Sequence, residues 1–265
     1  MRIFQALHKV KCLVPFWVLL AASSFSQSKP QRLQESRLAA SAKAPIRVAF
    51  VVTEGAVMID FAGPWEVFQD VMLVPKGHTK HEPGMGKHGF ELYTVSDSTH
   101  PIHASGGMQI IPDYTFDNAP TPNIVVIPAQ DGNSPKMMDW IRKMYRTSDV
   151  TMSVCTGAFT LAQTGLLNGK KATTHHDTWA MLHNQFPKIE VLSNKRWVQN
   201  DPVLFTSGGL SSGIDLALHI VDLYFGRSVA EDTADTMEYE GRDWKGTGAS
   251  SVTYTDAMAA MKMDQ

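Results

Sequence analysis

Residues 150–169 read VTMSVCTGAFTLAQTGLLNG, and this stretch decides the fold that we expect. Residues 150–154 are a short apolar run, which is typical of a buried strand. Cys155 follows this run directly, and apolar residues then recur with the spacing of a helix until Asn168-Gly169 ends it. The pattern therefore predicts a strand, a tight turn that carries Cys155, and a helix.

Cys155 has the layout of a nucleophile at a strand-to-helix elbow. Backbone N–H groups at the start of the following helix point at such a residue, and the helix dipole lowers the pKa of a thiol there. Gly157 lets the backbone turn closely. The alternative is a small buried cysteine packed at the end of a strand. The local pattern leaves both interpretations open.

Residues 1–26 have the layout of a signal peptide. Three basic residues precede an apolar run over residues 12–22, and small and polar residues follow it. The run is too short for a confident transmembrane span. We therefore expect a periplasmic or secreted protein with no stable membrane anchor. Cys12 would leave with the signal, so Cys155 would remain as the single thiol, without a disulfide.

The rest of the chain divides by composition into three segments. Residues 27–44 are polar and rich in Ala, Ser and Lys, which indicates a disordered linker. Residues 45–240 hold the apolar periodic segments and are expected to form one domain, followed by a loose tail over residues 241–265. The formal net charge of −2 does not indicate a nucleic-acid-binding face, which needs a basic surface.

Strands alternate with helices along the predicted domain, and this order indicates an α/β fold. Apolar runs at residues 46–52 and 123–127 are typical of strands buried on both faces of a parallel sheet. Asp60 lies past the end of the first run, just before a helix that we expect to begin at Gly63-Pro64. Ligands bind at this edge of an open sheet, although Asp60 could also merely cap a turn. Gly132 follows the later run and could present a backbone N–H at the same edge.

Two other patterns do not indicate a functional site. The spacing of His78, His81 and His88 fits no standard metal site, so we expect neither a metal nor a cofactor. Residues 209–213 match G-x-S-x-G, but a serine hydrolase needs an acid and a histidine later in the chain. Only His219 follows, within the same helix, so we interpret these serines as helix caps.

Four segments of the sequence resemble the DJ-1/PfpI family, within the class I glutamine-amidotransferase-like superfamily. They are IDFAGPWEVF at 59–68, IVVIPAQDG at 124–132, SVCTGAFTLAQTGLLNGKKATTHH at 153–176 and TSGGLSSGIDLALHIVDLYFG at 206–226. The pattern most resembles the isonitrile hydratase branch, which is similar to the sensor-like domain of some AraC-type regulators. The resemblance implies a flavodoxin-like three-layer sandwich, a homodimer and a small-molecule substrate or ligand.

The resemblance also implies roles for particular residues. Cys155 is implied as the nucleophile, with Asp60 and Thr156 serving the same site. The backbone N–H groups of Gly132 and Thr156 are implied as donors to developing negative charge. Thr156 stands where the protease-like branch has histidine, which counts against peptidase activity, and Ala129-Gln130 replaces a Gly-Gly pair.

The resulting hypothesis is a cysteine-dependent hydratase or hydrolase that converts an isonitrile to an N-substituted formamide. Met58, Phe61 and Trp65 could wall a pocket for an apolar substituent, with His175 nearby, although core packing is the alternative for each aromatic residue. The competing hypothesis is a non-catalytic ligand-binding or cysteine redox-sensing module.

Overall fold

The computed structural model, which describes residues 45–75, 77, 82 and 86–246, is organised around a seven-stranded sheet. The strands are β1 (Ile46–Val51), β2 (Met72–Leu73), β3 (Lys87–His88), β4 (Phe90–Ser96), β5 (Ile102–His103), β6 (Gln109–Ile110), β7 (Tyr114–Thr115), β8 (Ile124–Ile127), β9 (Val150–Ser153), β10 (Lys171–Ala172), β11 (Glu190–Val191), β12 (Trp197–Gln199) and β13 (Leu204–Ser207). The helices are α1 (Met58–Gln69), α2 (Pro135–Tyr145), α3 (Gly157–Gln163), α4 (Trp179–Gln185), α5 (Ser212–Phe225) and α6 (Arg227–Thr236).

The main sheet has the strand order β12-β13-β9-β8-β1-β4-β7. All its neighbouring strands are parallel except β12 and β13, which pair antiparallel. Parallel strands need crossover connections, and the helices between them supply these. The α/β fold with helices on both faces of a mainly parallel sheet, expected from the sequence, is confirmed.

Successive side chains of β1 belong to two separate cores. Val48 and Phe50 belong to the apolar cluster on one face of the sheet, whereas Ala49 and Val51 belong to the cluster on the other. Successive side chains of a strand point to opposite faces, so a continuous apolar run serves both. Helices α1, α5 and α6 cover the first cluster, and α2, α3 and α4 cover the second. The result is a three-layer sandwich.

The first turn of α1 holds Asp60, which corrects the expected start of this helix at Gly63-Pro64. Helix α1 begins at Met58, and Pro64 lies inside it. The backbone N–H of Met58 donates to Ser105 Oγ at 2.9 Å, and Ser105 belongs to the turn between β5 and β6. The helix is therefore capped by a serine from a distant part of the chain, and local sequence carries no signal of that cap.

The C-terminal boundary of the domain also differs from the expected one. Residues 241–246 pack on the domain instead of starting a loose tail, because Trp244 is buried and the Asp243 carbonyl accepts a hydrogen bond from Trp197 Nε1 at 3.2 Å. The predicted signal peptide, the linker over residues 27–44 and the rest of the predicted tail lie outside the described residues. Among the helices of the described residues, none combines the length and the apolar character that a membrane span requires.

Candidate active site

Cys155 occupies the turn between β9 and α3 in a left-handed conformation. Its φ angle is 58°, which costs a non-glycine residue about 1–2 kcal/mol. The Cys155 N–H donates to the Gly208 carbonyl at 3.0 Å and fixes the turn against the end of β13. A Cβ on Gly157 would lie 2.2 Å from the carbonyl oxygen of Ile127, so only glycine allows this close approach. The strand, turn and helix predicted around Cys155 are all present, but the helix ends at Gln163 and not at Asn168-Gly169, because Gly165 turns the chain with a φ of 80°.

Asp60 is fully buried beside Cys155. Its carboxylate oxygens accept hydrogen bonds from the backbone N–H groups of Leu210 at 3.2 Å and Ala129 at 3.3 Å, and the carboxyl also hydrogen-bonds to the Cys155 thiol. Three segments distant in sequence therefore converge on one carboxylate. The structure places Asp60 and Cys155 together at the carboxyl edge of the sheet.

The protonation of this pair differs from the sequence expectation. Burial raises the pKa of Asp60 to about 6, although its hydrogen bonds oppose the shift. Burial, followed by the charge of Asp60, raises the pKa of the Cys155 thiol to about 12, against hydrogen bonds from the N–H groups of Thr156 and Leu210. The expected lowering of the thiol pKa is wrong. The two N–H donors lower this pKa, but burial and the neighbouring carboxylate raise it by more. At neutral pH the pair holds a carboxylate and a thiol.

Thr156 is half-buried directly after the cysteine. Its side chain makes no capping bond to α3, and a role for the hydroxyl in the site stays a prediction. Thr174 supports the turn from behind, because its hydroxyl donates to the Cys155 carbonyl at 3.0 Å. The neighbouring His175 acts electrostatically on Asp60 and lowers the pKa of that carboxyl.

Gly132 lies at the carboxyl edge of the sheet, next to the loop between β1 and α1. Its carbonyl oxygen accepts from Thr53 Oγ1 at 3.1 Å. In the described part of the chain, the N–H groups whose hydrogen bonds lower the thiol pKa belong to Thr156 and Leu210. A donor role for Gly132 stays a prediction, and Ala129 of the same loop donates to Asp60.

The apolar residues expected to wall a pocket belong to the packed core beneath α1. Phe61 is buried, and the Trp65 ring lies 4.9 Å from that of Phe50. Met58 is half-buried against the same cluster. For Phe61 and Trp65 this placement favours the packing alternative.

Leu210 is a residue that the sequence reasoning misses. It adopts a φ of 53°, and its N–H is directed at both Asp60 and the cysteine sulfur. The local pattern indicates only a helix cap in this segment. The sequence feature that indicates this donor is the Gly208-Gly209 pair at the end of a predicted strand. This pair places backbone N–H groups at the same edge of the sheet as Cys155.

A cavity of about 420 Å³ adjoins this site and shares Thr174, His175 and Leu210 with it. A second cavity of about 530 Å³ is lined by residues of α6 and the following segment, from 231 to 245, and includes none of the residues around Cys155. Cys155 and Asp60 line neither of these two cavities, but the first shares residues with their immediate surroundings.

Three neighbouring side chains in the described part of the chain could hold a divalent metal ion. The donor atoms of His175, His176 and Asp177 all lie within 4.8 Å of one another. Asp177 and His176 are exposed, and Asp177 also forms contacts of 3.1 and 3.6 Å with the two histidines. Of the histidines considered from the sequence, His78 and His81 lie outside the described residues. The absence of a metal, expected from the sequence, stays a prediction.

Comparison with known proteins identifies the family to which this fold belongs. The profile of the DJ-1/PfpI family matches residues 46–223. The chain belongs to the DJ-1/PfpI family. This DJ-1/PfpI protein is 29% identical over 199 residues to the isonitrile hydratase of Pseudomonas putida, covering 73% of this chain and 78% of that one.

Two further relatives extend the comparison. The HTH-type transcriptional regulator GbdR of Pseudomonas aeruginosa is 28% identical over 159 residues, which cover 58% of this chain and 43% of the regulator. Among solved structures, a THiJ/PfpI family protein from Pseudomonas syringae superposes with a TM-score of 0.63 at 23% identity, covering 83% of this chain and 86% of that one. The fold is therefore that of the DJ-1/PfpI family.

Proposed function

We propose that this protein is a cysteine-dependent hydratase that adds water to a small isonitrile and releases an N-substituted formamide. The observation that carries the proposal is the buried Asp60 carboxylate hydrogen-bonded to the Cys155 thiol at the elbow. The similarity to the isonitrile hydratase of Pseudomonas putida supports the class of reaction.

The first half of the reaction needs a base at the thiol. Asp60 removes the proton of Cys155 as the sulfur attacks the terminal carbon of the isonitrile. The proton then passes from Asp60 to that carbon, which gives a thioimidate, R–N=CH–S–Cys. Because the pKa of Asp60 is about 6, its carboxylate is available at neutral pH, whereas free thiolate is scarce. The N–H groups of Thr156 and Leu210 stabilise the negative charge that develops on the sulfur as its proton leaves.

The second half consumes water. A water molecule adds to the thioimidate carbon, and Asp60 accepts one of its protons and passes it to the nitrogen. The C–S bond then breaks, the proton of the new hydroxyl group moves to the sulfur, and the formamide R–NH–CHO leaves the restored thiol. One water is consumed and one formamide is formed, so the step requires no redox partner.

Turnover of a simple alkyl isonitrile tests the proposal. Loss of the isonitrile stretching band and appearance of the formamide are followed for the wild type, Cys155→Ala, Asp60→Asn and the remote control Asp235→Asn. The control should match the wild type, whereas Cys155→Ala should lose activity by at least about 10³-fold. Turnover that survives Cys155→Ala would remove the cysteine from the mechanism, and an inactive wild type would overturn the hydratase assignment.

A non-catalytic ligand-binding module is the second candidate, because part of this chain resembles the regulator GbdR. A redox-sensing version of that candidate has less support, since thiols with a high pKa oxidise slowly and Cys155 is both buried and of raised pKa. Ligand binding without turnover by the wild type would favour this candidate.

We also propose export and homodimer formation, which the sequence and the family resemblance favour. Cell fractionation of the full-length chain, with mass measurement of the mature N-terminus, tests export. Light scattering of the mature protein tests the dimer. Retention of residues 1–26 in the cytoplasmic fraction would contradict the first proposal, and a monomeric mass would contradict the second.

A further inference from the structure

The cavity beside Cys155 has four basic residues in its lining. His175, His176, Lys195 and Arg196 all line it, and none of the described residues that line it is acidic. Lys195 and Arg196 carry a positive charge at neutral pH, and an excess of one sign of charge in a cavity concentrates ligands of the opposite sign. The lining therefore favours an anionic group over a neutral or cationic one.

Most of these basic groups already have a partner. Arg196 donates through Nε to Asp215 at 2.6 Å, and the two histidines lie 3.1 to 3.6 Å from the exposed Asp177. Lys195 differs, because within the described residues it forms no ion pair, although it is half-buried. An ammonium group without an ionic partner gains from an anion that enters the cavity. Lys195 is therefore the group that a negatively charged ligand would engage.

The cavity adjoins the residues that take part in the proposed reaction. Leu210 and His175 line the cavity, while the N–H of Leu210 also binds Asp60 and the electrostatic effect of His175 reaches that carboxyl. Cys155 and Asp60 do not line the cavity themselves, and Leu210 and His175 are the residues that join the cavity to this reacting pair. The charge of Asp60 disfavours a second carboxylate close to the sulfur, so the anionic group must be separated from the reacting carbon.

We propose that the substrates are isonitriles with a carboxylate at the far end of a short chain, and that Lys195 binds this carboxylate. The inference rests on the proposed function and makes it more specific. The reacting end remains the neutral isonitrile carbon. Trp179 adds an aromatic wall for the methylene groups between the two ends. Lys195 acts as a substrate-binding residue and takes no part in proton transfer.

A series of ω-isocyano carboxylates and their methyl esters tests the kinetic side. For the chain length that fits best, kcat/KM for the acid should exceed that for the ester by at least about tenfold in the wild type. Lys195→Gln should bring kcat/KM for the acid down to that for the ester in the same variant, while Lys195→Arg should keep most of the preference for the acid. Lys143→Gln, which removes an exposed charge on α2, should behave as the wild type.

Calorimetry with the matching N-formyl amino acids and their methyl esters separates binding from turnover. Preference for the acid that depends on Lys195, with no isonitrile hydrated, would overturn the hydratase proposal and the assignment of an isocyano substrate, while leaving a carboxylate site. Hydration of esters as fast as acids, or an acid preference that survives Lys195→Gln, would overturn the carboxylate site and leave the hydratase proposal intact. Circular dichroism of each variant verifies that it is folded.

Discussion

At the scale of single residues, the Asp60–Cys155 pair determines the reactivity of the site. Replacing Asp60 with Asn removes the base and also removes the negative charge that opposes thiolate formation. Turnover should therefore fall by about 10²–10⁴-fold. The pKa of the thiol should fall as well, so alkylation of Cys155 by iodoacetamide at about pH 8 should become faster.

These opposite effects distinguish a base from a merely structural carboxylate. Asp235→Asn removes the same charge at an exposed and remote position on α6, and it should alter neither turnover nor the rate of alkylation. Turnover and alkylation that fall together in Asp60→Asn, with a folded protein, would show that Asp60 activates the thiol in some other way.

The pH dependence of turnover follows from the same pair. The base form of Asp60 predominates above its pKa of about 6, and the thiol keeps its proton until a pH of about 12. The value of kcat/KM should rise about tenfold per pH unit below about pH 6 and should level off above it. A profile between about pH 4.5 and pH 9 checks this, and a rate that goes on rising through about pH 9 would instead indicate a reaction of free thiolate.

The same raised carboxyl pKa contributes to stability with a definite sign. Asp60 binds a proton more tightly in the folded chain than in the unfolded one, so its contribution is greatest at low pH and is lost as the pH rises towards about 6. The unfolding free energy of the wild type relative to Asp60→Asn should fall by about 2–3 kcal/mol between about pH 3.5 and pH 7. Urea unfolding of both proteins across this range measures the difference, and a constant difference would contradict it.

At the scale of elements, the start of α1 depends on a cap from another part of the chain. Ser105 Oγ accepts the Met58 N–H at 2.9 Å, and Asp60 lies two residues further on in the same turn. Ser105→Ala should cost about 0.5–2 kcal/mol of unfolding free energy and should lower turnover by loosening Asp60. Ser98→Ala, in an exposed turn where Ser98 Oγ accepts from His100 N–H at 3.3 Å, is the matched control. Equal stability of the two variants would show that the cap is unimportant.

Local sequence predicts the elements that local chemistry determines. The apolar runs indicate the strands, and the Cys155 turn between strand and helix follows from its own sequence. The predicted start of α1 is wrong because its cap comes from Ser105. The predicted thiol pKa is wrong because burial and Asp60 are consequences of tertiary packing. The Leu210 donor is missed because its bond to Asp60 joins residues 150 positions apart.

At the scale of the whole molecule, the domain ends where the core is closed. Trp244 is buried beneath α5 and α6, its Nε1 donates to the Gly241 carbonyl at 3.0 Å, and Arg227 lies 5.1 Å from its ring. Truncation after residue 240 should therefore cost about 3–5 kcal/mol, as should Trp244→Ala. That loss corresponds to a fall in Tm on the order of 10 °C.

Truncation after residue 246 is the matched control for this prediction, because it keeps the segment that packs on the domain and removes only residues 247–265. Its Tm should equal that of the full chain, and its turnover should be unchanged, since every residue that the structure describes is kept. Thermal unfolding followed by circular dichroism compares the full chain, the two truncations and Trp244→Ala. Equal Tm values for the two truncations would place the end of the domain at residue 240, and Trp244 would then cover a core that is already complete without it.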